Sequence, residues 1–380
     1  MIIPVIAAGD LVTAYGRGLD ACWLGLGSGR PALSPCGGRI PGAGIQPAGL
    51  VAGLDLALPE SLAMQMLAPL LAKACQLLPP ETLVILATTV GEIDLLERDV
   101  LKGGGNGTAA NPHHLLEKVR MACGSAEPGL LISAACASGS VALAQAASLI
   151  RQGTRRSVLV VAVDAVTEFV HSGFSSLQAL DPAGARPFDR NRAGLCLGDA
   201  AGWILVTDAT LAAERGLSCQ FEIAGWGQGN DMNHMTGPSR DGSGLARAIR
   251  QALVSAGAVP AEIASISAHG TGTAYNDAME IKGFRAVFGE RVPPGYSIKG
   301  GIGHTLGVAG LIEALVACRS LAEQAIPPTV GLSDPDPAAA GLIFTTRQAC
   351  PGRFTLSTNS GFGGVNAALV LQHHESGVRQ

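Results

Sequence analysis

Gly129-Leu-Leu-Ile-Ser-Ala-Ala-Cys136, running into an alanine-rich stretch that reaches Gly153, has a counterpart far along the chain. The counterpart is Gly295-Tyr-Ser-Ile-Lys-Gly-Gly-Ile-Gly-His304 with its own continuation to Glu323. Each reads as a short apolar strand, a tight turn of small residues and a helix. A second pair echoes in the same way, Leu83–Gly91 against Ile263–Gly272. A long-period echo of this kind predicts two similar α/β halves. Each half then presents a reactive residue at a strand-to-helix junction facing the other. The division falls near Asp208–Gly216, giving an N-terminal half, 1–212, that carries Cys136. The C-terminal half, 213–380, carries His269, His304 and Lys299.

Short β-branched runs alternate with Ala/Leu-rich stretches outward from these motifs, the pattern of a layered α/β fold. Strands are expected at Ile2–Ala7, Leu83–Thr88, Leu130–Ala134, Val158–Val163 and Trp203–Thr207 in the first half. In the second they are expected at Phe221–Gly225, Ile263–Ala268, Gly295–Ser297, Leu342–Thr345, Thr355–Thr358 and Ala367–Gln372. Helices are expected at Pro59–Leu77, Ser138–Arg151, Gly244–Ser255, Ala278–Val287 and Leu306–Glu323. The central strands are continuously apolar, as strands covered on both faces are. Gly103-Gly-Gly-Asn-Gly107 reads as a mobile loop, because it lacks the Lys-Ser/Thr of a phosphate cradle. The residues from Glu375 onward read as a frayed tail.

The chain has 380 residues, 47% hydrophobic and only 15% charged, so it buries a large interior. Aromatic residues make up 4%, and the core must be built from aliphatic side chains packed against 51 glycines. A net charge of −4 argues against nucleic-acid binding. Nine cysteines, with no Cys-x-x-Cys pair, fit neither a disulfide framework nor a structural zinc site. No His-Glu-x-x-His or nicotinamide-binding Gly-x-Gly-x-x-Gly signature is present either, so neither a metal nor a redox cofactor is expected. The opening Met-Ile-Ile-Pro reads as a strand and not a signal peptide. No apolar run approaches the ~20 residues that span a bilayer. A reducing, cytoplasmic setting is the expectation.

Three motifs carry chemistry: Ala-Ala-Cys136-Ala-Ser-Gly, Ala-His269-Gly-Thr271-Gly-Thr273 and Lys299-Gly-Gly-Ile-Gly-His304. Cys136 stands where a strand turns into a helix, a place whose field favours thiolate and whose N–H groups hold an oxyanion. The glycines around His269 allow close backbone approach by a ligand, and the threonine hydroxyls orient it. His304 opens a helix and is predicted to be a neutral hydrogen-bond donor. Lys299 has apolar neighbours and needs a buried partner, for which Glu313 on the following helix is the candidate. The pair is read as fixing His304.

These motifs, in this order, resemble those of the β-ketoacyl synthases of the thiolase superfamily, and the resemblance runs nearly end to end. It implies a layered αβαβα arrangement with mixed five-stranded sheets. It also implies a decarboxylating Claisen condensation with Cys136, His269, His304 and Lys299 as catalytic residues. The acyl group would sit on Cys136 as a thioester and the extender would be a malonyl-acyl carrier protein, in fatty-acid or specialised polyketide/polyene synthesis. By the same resemblance Phe362 and Gly363, in Asn359-Ser-Gly-Phe-Gly-Gly-Val-Asn366, supply an oxyanion N–H and a gate. Asp199, in Gly-Asp-Ala-Ala-Gly202, and Arg186-Pro-Phe-Asp189 hold loops around an acyl pocket that contains Phe174. Thr271, Thr273 and Glu313 are supporting residues. Implied partners are the acyl carrier protein and a second subunit, identical or a chain-length partner of the same fold, paired through Val158–Val163. Two departures stand out: Ala137 where Thr is common, and Ser360 where many members carry an extra aromatic. A non-decarboxylating thiolase would place a second cysteine at Phe362, a priming synthase Asn for one histidine, and a chain-length partner would lack Cys136.

Overall fold

The computed structural model describes residues 2–105 and 107–374, so the tail from Glu375 lies outside the described residues. Among the described residues the main sheet has eleven strands, of which Gly16–Arg17 only flanks the end of the first; the other ten run in one path, with β1 Pro4–Thr13, β2 Leu83–Ala87, β3 Leu130–Ile132, β4 Ser157–Asp164 and β5 Ala200–Asp208 in the first half. The second half supplies β6 Phe221–Asn230, β7 Ile263–Ser267, β8 Gly295–Tyr296, β9 Phe354–Gly361 and β10 Val365–His373. Their order is β3-β2-β4-β5-β1, then β6-β10-β9-β7-β8. Each half has two parallel pairings at its outer end and two antiparallel ones toward the middle. The echo in the sequence is thus an echo in space: β2 corresponds to β7, and β3 to β8. Only two residue pairs, Val5↔Glu222 and Ile6↔Phe221, join the halves edge to edge.

Between the halves lie two helices, α3 Ser138–Arg151 and α7 Ala309–Ala322. α7 is buried around nearly its whole circumference, which fits its lack of a polar face. The two cross closely because both carry glycine at the contact. A Cβ on Gly139 would lie 2.7 Å from the Leu311 nitrogen, and one on Gly310 would lie 2.6 Å from the Ser140 nitrogen. Helices α1 Leu62–Ala74 and α2 Pro112–Ala122 cover the outer face of the first half. On the second half α5 Ser243–Ala256 and α6 Ala274–Phe288 do the same. Short α4, Glu168–Ser176, lies beside the cavity described below. The five layers α/β/α/β/α follow.

Several expectations are corrected. Leu342–Thr345 is not a strand: it makes one bridge, Ile343 to Gly295, while Leu342 and Ile343 plug the core. α2 and α4 were not expected, nor were helices at Leu19–Gly27 and Ile93–Leu101. α2 and α4 start at side-chain caps, Asn111 and Thr167, rather than on an apolar period. Val158–Val163 is not a free edge. β4 is hydrogen-bonded to β2 on one side and β5 on the other, and every residue of it is buried. Continuous apolarity marks the middle of a covered sheet, not its rim. The rim of this half is β3, paired only with β2, with Leu130 40% exposed. Among the described residues no helix is long and apolar enough to cross a membrane.

Candidate active site

The turn between β3 and α3 is held by one side chain. Ser138 Oγ accepts the Ala134 N–H at 2.8 Å and donates to the Ala135 carbonyl at 2.6 Å. Ala135 takes a left-handed conformation (φ 49°), and the chain reverses so that Cys136 faces a cavity of about 500 Å³. The backbone N–H groups of Cys136 and Phe362 lie close enough to its sulfur to favour thiolate. Burial pushes the resting thiol up to about 12, against the pull of the Lys299 ammonium. The field at the helix start was expected to favour thiolate. α3 begins two residues later, at Ser138, and desolvation outweighs that field at Cys136.

His269 follows β7 and His304 follows a helical turn, Lys299–Ile302. Their rings meet edge to face, centroids 5.2 Å apart, and one atom from each lies within 4.8 Å of the other and of Cys136 Sγ. Their neighbours fix both tautomers. His269 Nδ1 lies 3.3 Å from Lys299 Nζ and 3.3 Å from Asn359 Nδ2, both donors. His304 Nδ1 accepts the Leu306 N–H at 3.2 Å, from a left-handed leucine (φ 53°). Nδ1 is therefore an acceptor in each ring, and the proton sits on Nε2. Burial, then the Lys299 charge, holds both imidazoles well below the usual histidine range, so both stay neutral. The backbone of His304 is clamped as well. Its N–H donates to the Cys196 carbonyl at 2.6 Å and its carbonyl accepts the Gly198 N–H at 3.0 Å.

Lys299 is buried and fully engaged. It donates to the His269 carbonyl and to Glu313 Oε1, each at 2.5 Å. Sequence reasoning gave Asn359 no role, yet it completes this group. Its Nδ2 donates to Glu313 Oε2 at 2.7 Å, and its Oδ1 accepts from Ser140 Oγ at 2.5 Å. Lys299 was read as fixing His304. It touches His269 instead, and Leu306 holds His304. Cys136, His269 and His304 have the spacing of metal ligands, but the adjoining ammonium sets positive charge against any cation there.

The loop around His269 is held from α6. Glu280 accepts the N–H groups of His269 and Gly270 at 2.7 and 2.6 Å, and Asp277 accepts those of Thr271 and Phe188 at 3.1 and 2.7 Å. Thr271 and Thr273 share a hydrogen bond of 2.9 Å and line the cavity. Phe174 of α4 also lines it, its ring centroid 5.7 Å from that of Phe362. Gly363 is left-handed (φ 82°) and donates to the Met235 carbonyl at 2.7 Å, tying the Phe362 loop to the segment 231–238 at the mouth. Asp199 does not reach the cavity. It accepts from Arg39 at 2.6 Å and from the Val51 and Val166 N–H groups at 2.9 and 2.7 Å, and so anchors the segment before α4.

A second unread residue is Asp164, fully buried at the end of β4. It accepts from Thr88 Oγ1 at 2.7 Å, from both the N–H and the hydroxyl of Thr89, and from the Gly307 N–H at 2.8 Å. It thereby links the loop after β2 to the segment after His304. The available signal was a single acid closing an apolar strand, which must find partners inside.

Two successive sequence models match the chain: "Beta-ketoacyl synthase, N-terminal domain" over residues 77–212 and "Beta-ketoacyl synthase, C-terminal domain" over residues 220–333. The chain is 34% identical over 256 residues to "3-oxoacyl-[acyl-carrier-protein] synthase 2" of Vibrio harveyi, covering 64% of this chain and 62% of that protein. It is 34% identical over 270 residues to "Putative polyketide beta-ketoacyl synthase 1" of Streptomyces virginiae, covering 68% and 64%. These matches span less than two thirds of either relative's length. Among solved structures, a type II polyketide ketosynthase bound to a hexaketide, in complex with its acyl-carrier protein, superposes with a TM-score of 0.87. Its identity is 25%, over 98% of this chain and 100% of that one.

Proposed function

The chain belongs to the β-ketoacyl synthase family, and from that premise we propose that it catalyses a decarboxylating Claisen condensation on acyl carrier protein. One observation carries this reading: two neutral imidazoles, each obliged to keep its proton on Nε2, stand beside a cysteine whose sulfur lies close to two backbone N–H groups.

The chemistry runs in two stages. Cys136 sulfur attacks the thioester carbon of an acyl carrier, and the carrier's thiol departs with the proton. The Cys136 and Phe362 N–H groups hold the oxyanion that forms in between. A malonyl carrier then places its thioester carbonyl against the Nε2–H groups of His269 and His304. As carbon dioxide leaves, the electron pair of the broken C–C bond delocalises onto that oxygen, where both donors strengthen. The carbanion attacks the acyl-Cys136 carbonyl, the C–S bond breaks with Cys136 leaving as thiolate, which takes a proton from water, and a β-ketoacyl carrier is released. Lys299, Glu313 and Asn359 are positioning residues for His269, and Glu280 and Asp277 set its loop. Phe174 and Phe362 line the acyl side of the cavity.

Further parts of the proposal are an acyl carrier partner, a cytoplasmic setting, two halves at 1–212 and 213–380, and a dimer of identical or same-fold subunits. The exposed rim strand β3 supports the dimer. The test is a reaction of purified protein with acyl- and malonyl-loaded carrier. It should yield β-ketoacyl carrier and carbon dioxide, with a covalent acyl adduct that Cys136→Ala abolishes. An adduct that persists in Cys136→Ala would sink the assignment.

A further inference from the structure

Cys75 is the C-cap residue of α1 and Cys123 that of α2, so two adjoining helices on the outer face of the first half each end in a thiol. The two side chains lie close enough to influence each other, and Cys75 Sγ donates to the carbonyl of Ala122, the residue before Cys123, at 3.2 Å. Both are only partly buried, whereas Cys136 and five other cysteines are buried. Neither lines the cavity. Two facing thiols near solvent have no part in the condensation, and packing alone does not call for a matched pair.

We propose that Cys75 and Cys123 form an oxidation site that closes to a disulfide with hydrogen peroxide, clipping α1 to α2 while the nucleophile stays reduced. Burial and the neighbouring sulfur push the Cys123 thiol up to about 12. Cys75 sulfur takes the terminal oxygen of peroxide, the O–O bond breaks, and water leaves as Cys75 becomes a sulfenic acid. Cys123 sulfur then displaces that hydroxyl, which departs as water with the Cys123 proton. Two thiols lose two electrons and two protons, and one peroxide becomes two waters. The closeness of the two side chains makes the second step fast. The bridge would close a loop of ~50 residues, long enough to restrain the unfolded chain substantially. In a reducing compartment such a bridge is transient and is reversed by thiol exchange.

The test titrates full-length protein with hydrogen peroxide, blocks free thiols, digests without reduction and maps the peptides by mass. A linked Cys75–Cys123 peptide pair should appear before any oxidation of Cys136, vanish on adding dithiothreitol, and be absent in Cys75→Ser. The oxidised wild type should melt several degrees higher than the reduced protein, and the oxidised Cys75→Ser variant should not. Untreated Cys75→Ser should keep wild-type turnover. Recovery of both peptides separately alkylated would overturn the proposal. So would Cys75 sulfinic acid without a link, or oxidation of Cys136 first. Because the readout is mass and melting temperature, it is independent of whether the condensation reading holds.

Discussion

Asn359 and Glu313, 46 residues apart in sequence, share a hydrogen bond of 2.7 Å that fixes which face of the carboxylate meets Lys299. With Oε2 occupied by the amide, Oε1 is left for the ammonium, and both donors then converge on Nδ1 of His269. Removing Asn359 strands a buried carboxylate oxygen. Asn359→Leu should therefore cost about 1–3 kcal/mol in denaturant unfolding, more than a typical point substitution. Glu313→Gln, which keeps the shape but leaves the Lys299 charge unpaired, should cost at least as much. Wild-type stability in both variants would show that the group is not energetically coupled.

His304 stabilises charge that exists only while the enolate forms. His304→Ala should lower carbon dioxide release from malonyl carrier by about 10²–10³, the effect of losing one oxyanion donor. Acyl transfer to Cys136 should survive, because the N–H groups close to the sulfur come from Cys136 and Phe362. Radiolabelled carbon dioxide release and intact-mass acylation, measured side by side, separate the two steps. Normal release in the variant would remove His304 from the role.

Both histidines are held neutral in the fold and titrate near 6.5 when unfolded. Below about pH 6.5 the unfolded chain takes up their protons and the folded one does not. Stability is therefore present above that pH and is lost as pH falls, by up to about 1.4 kcal/mol per unit for each ring. Glu280, raised to about 8 mainly by burial, works oppositely, since the folded state binds its proton first as pH falls. Denaturant titrations of wild type and His304→Asn at several pH values from 7 to 5 isolate one ring. The variant should lose stability on acidification more slowly than wild type. Parallel slopes would contradict a neutral, buried His304.

The resting thiol of Cys136 is pushed up, so alkylation by iodoacetamide should be slow at neutral pH and still rising at pH values where an exposed thiol has levelled. Asp164 adds to that rise through its charge. Asp164→Asn keeps the shape and removes the charge, so it should speed alkylation about tenfold for each unit by which the thiol falls. An unchanged pH–rate curve would show that Asp164 is only a brace.

Local signals were legible in the sequence and distant partners were not. Helix α3 was expected over Ser138–Arg151 and is found there, because small residues open it and Gly153 follows its end. The matching of Gly129–Cys136 to Gly295–His304 anticipated the two sheet halves, since both segments solve the same problem of turning a buried strand into a buried helix. Asn359 and Asp164 were opaque as to role, because what a buried polar group needs depends on residues brought up by the fold. Asn359 meets Glu313 and Ser140, while Asp164 meets Thr88 and Gly307. α4, Glu-Phe-Val-His-Ser-Gly-Phe-Ser-Ser, is poor in helix formers and was invisible to pattern. Tertiary packing supplies what propensity lacks.

The sheet rim carries the last prediction. A short, partly exposed strand with one neighbour offers unpaired backbone groups to another chain. β3 is such a strand, and its sequence, Leu130-Leu-Ile132, is apolar rather than guarded by charge. The dimer proposed above should therefore form through β3, and burial on the order of 2,000 Å² or more would make it stable at working concentrations. Leu130→Lys places a charge on the rim at a position 40% exposed, where the single chain tolerates it. Light scattering at low micromolar concentration should give a dimer for wild type and a shift toward monomer for Leu130→Lys. Circular dichroism should be unchanged, separating dissociation from unfolding. An intact dimer in the variant would move the interface elsewhere, and an active wild-type monomer would abolish it.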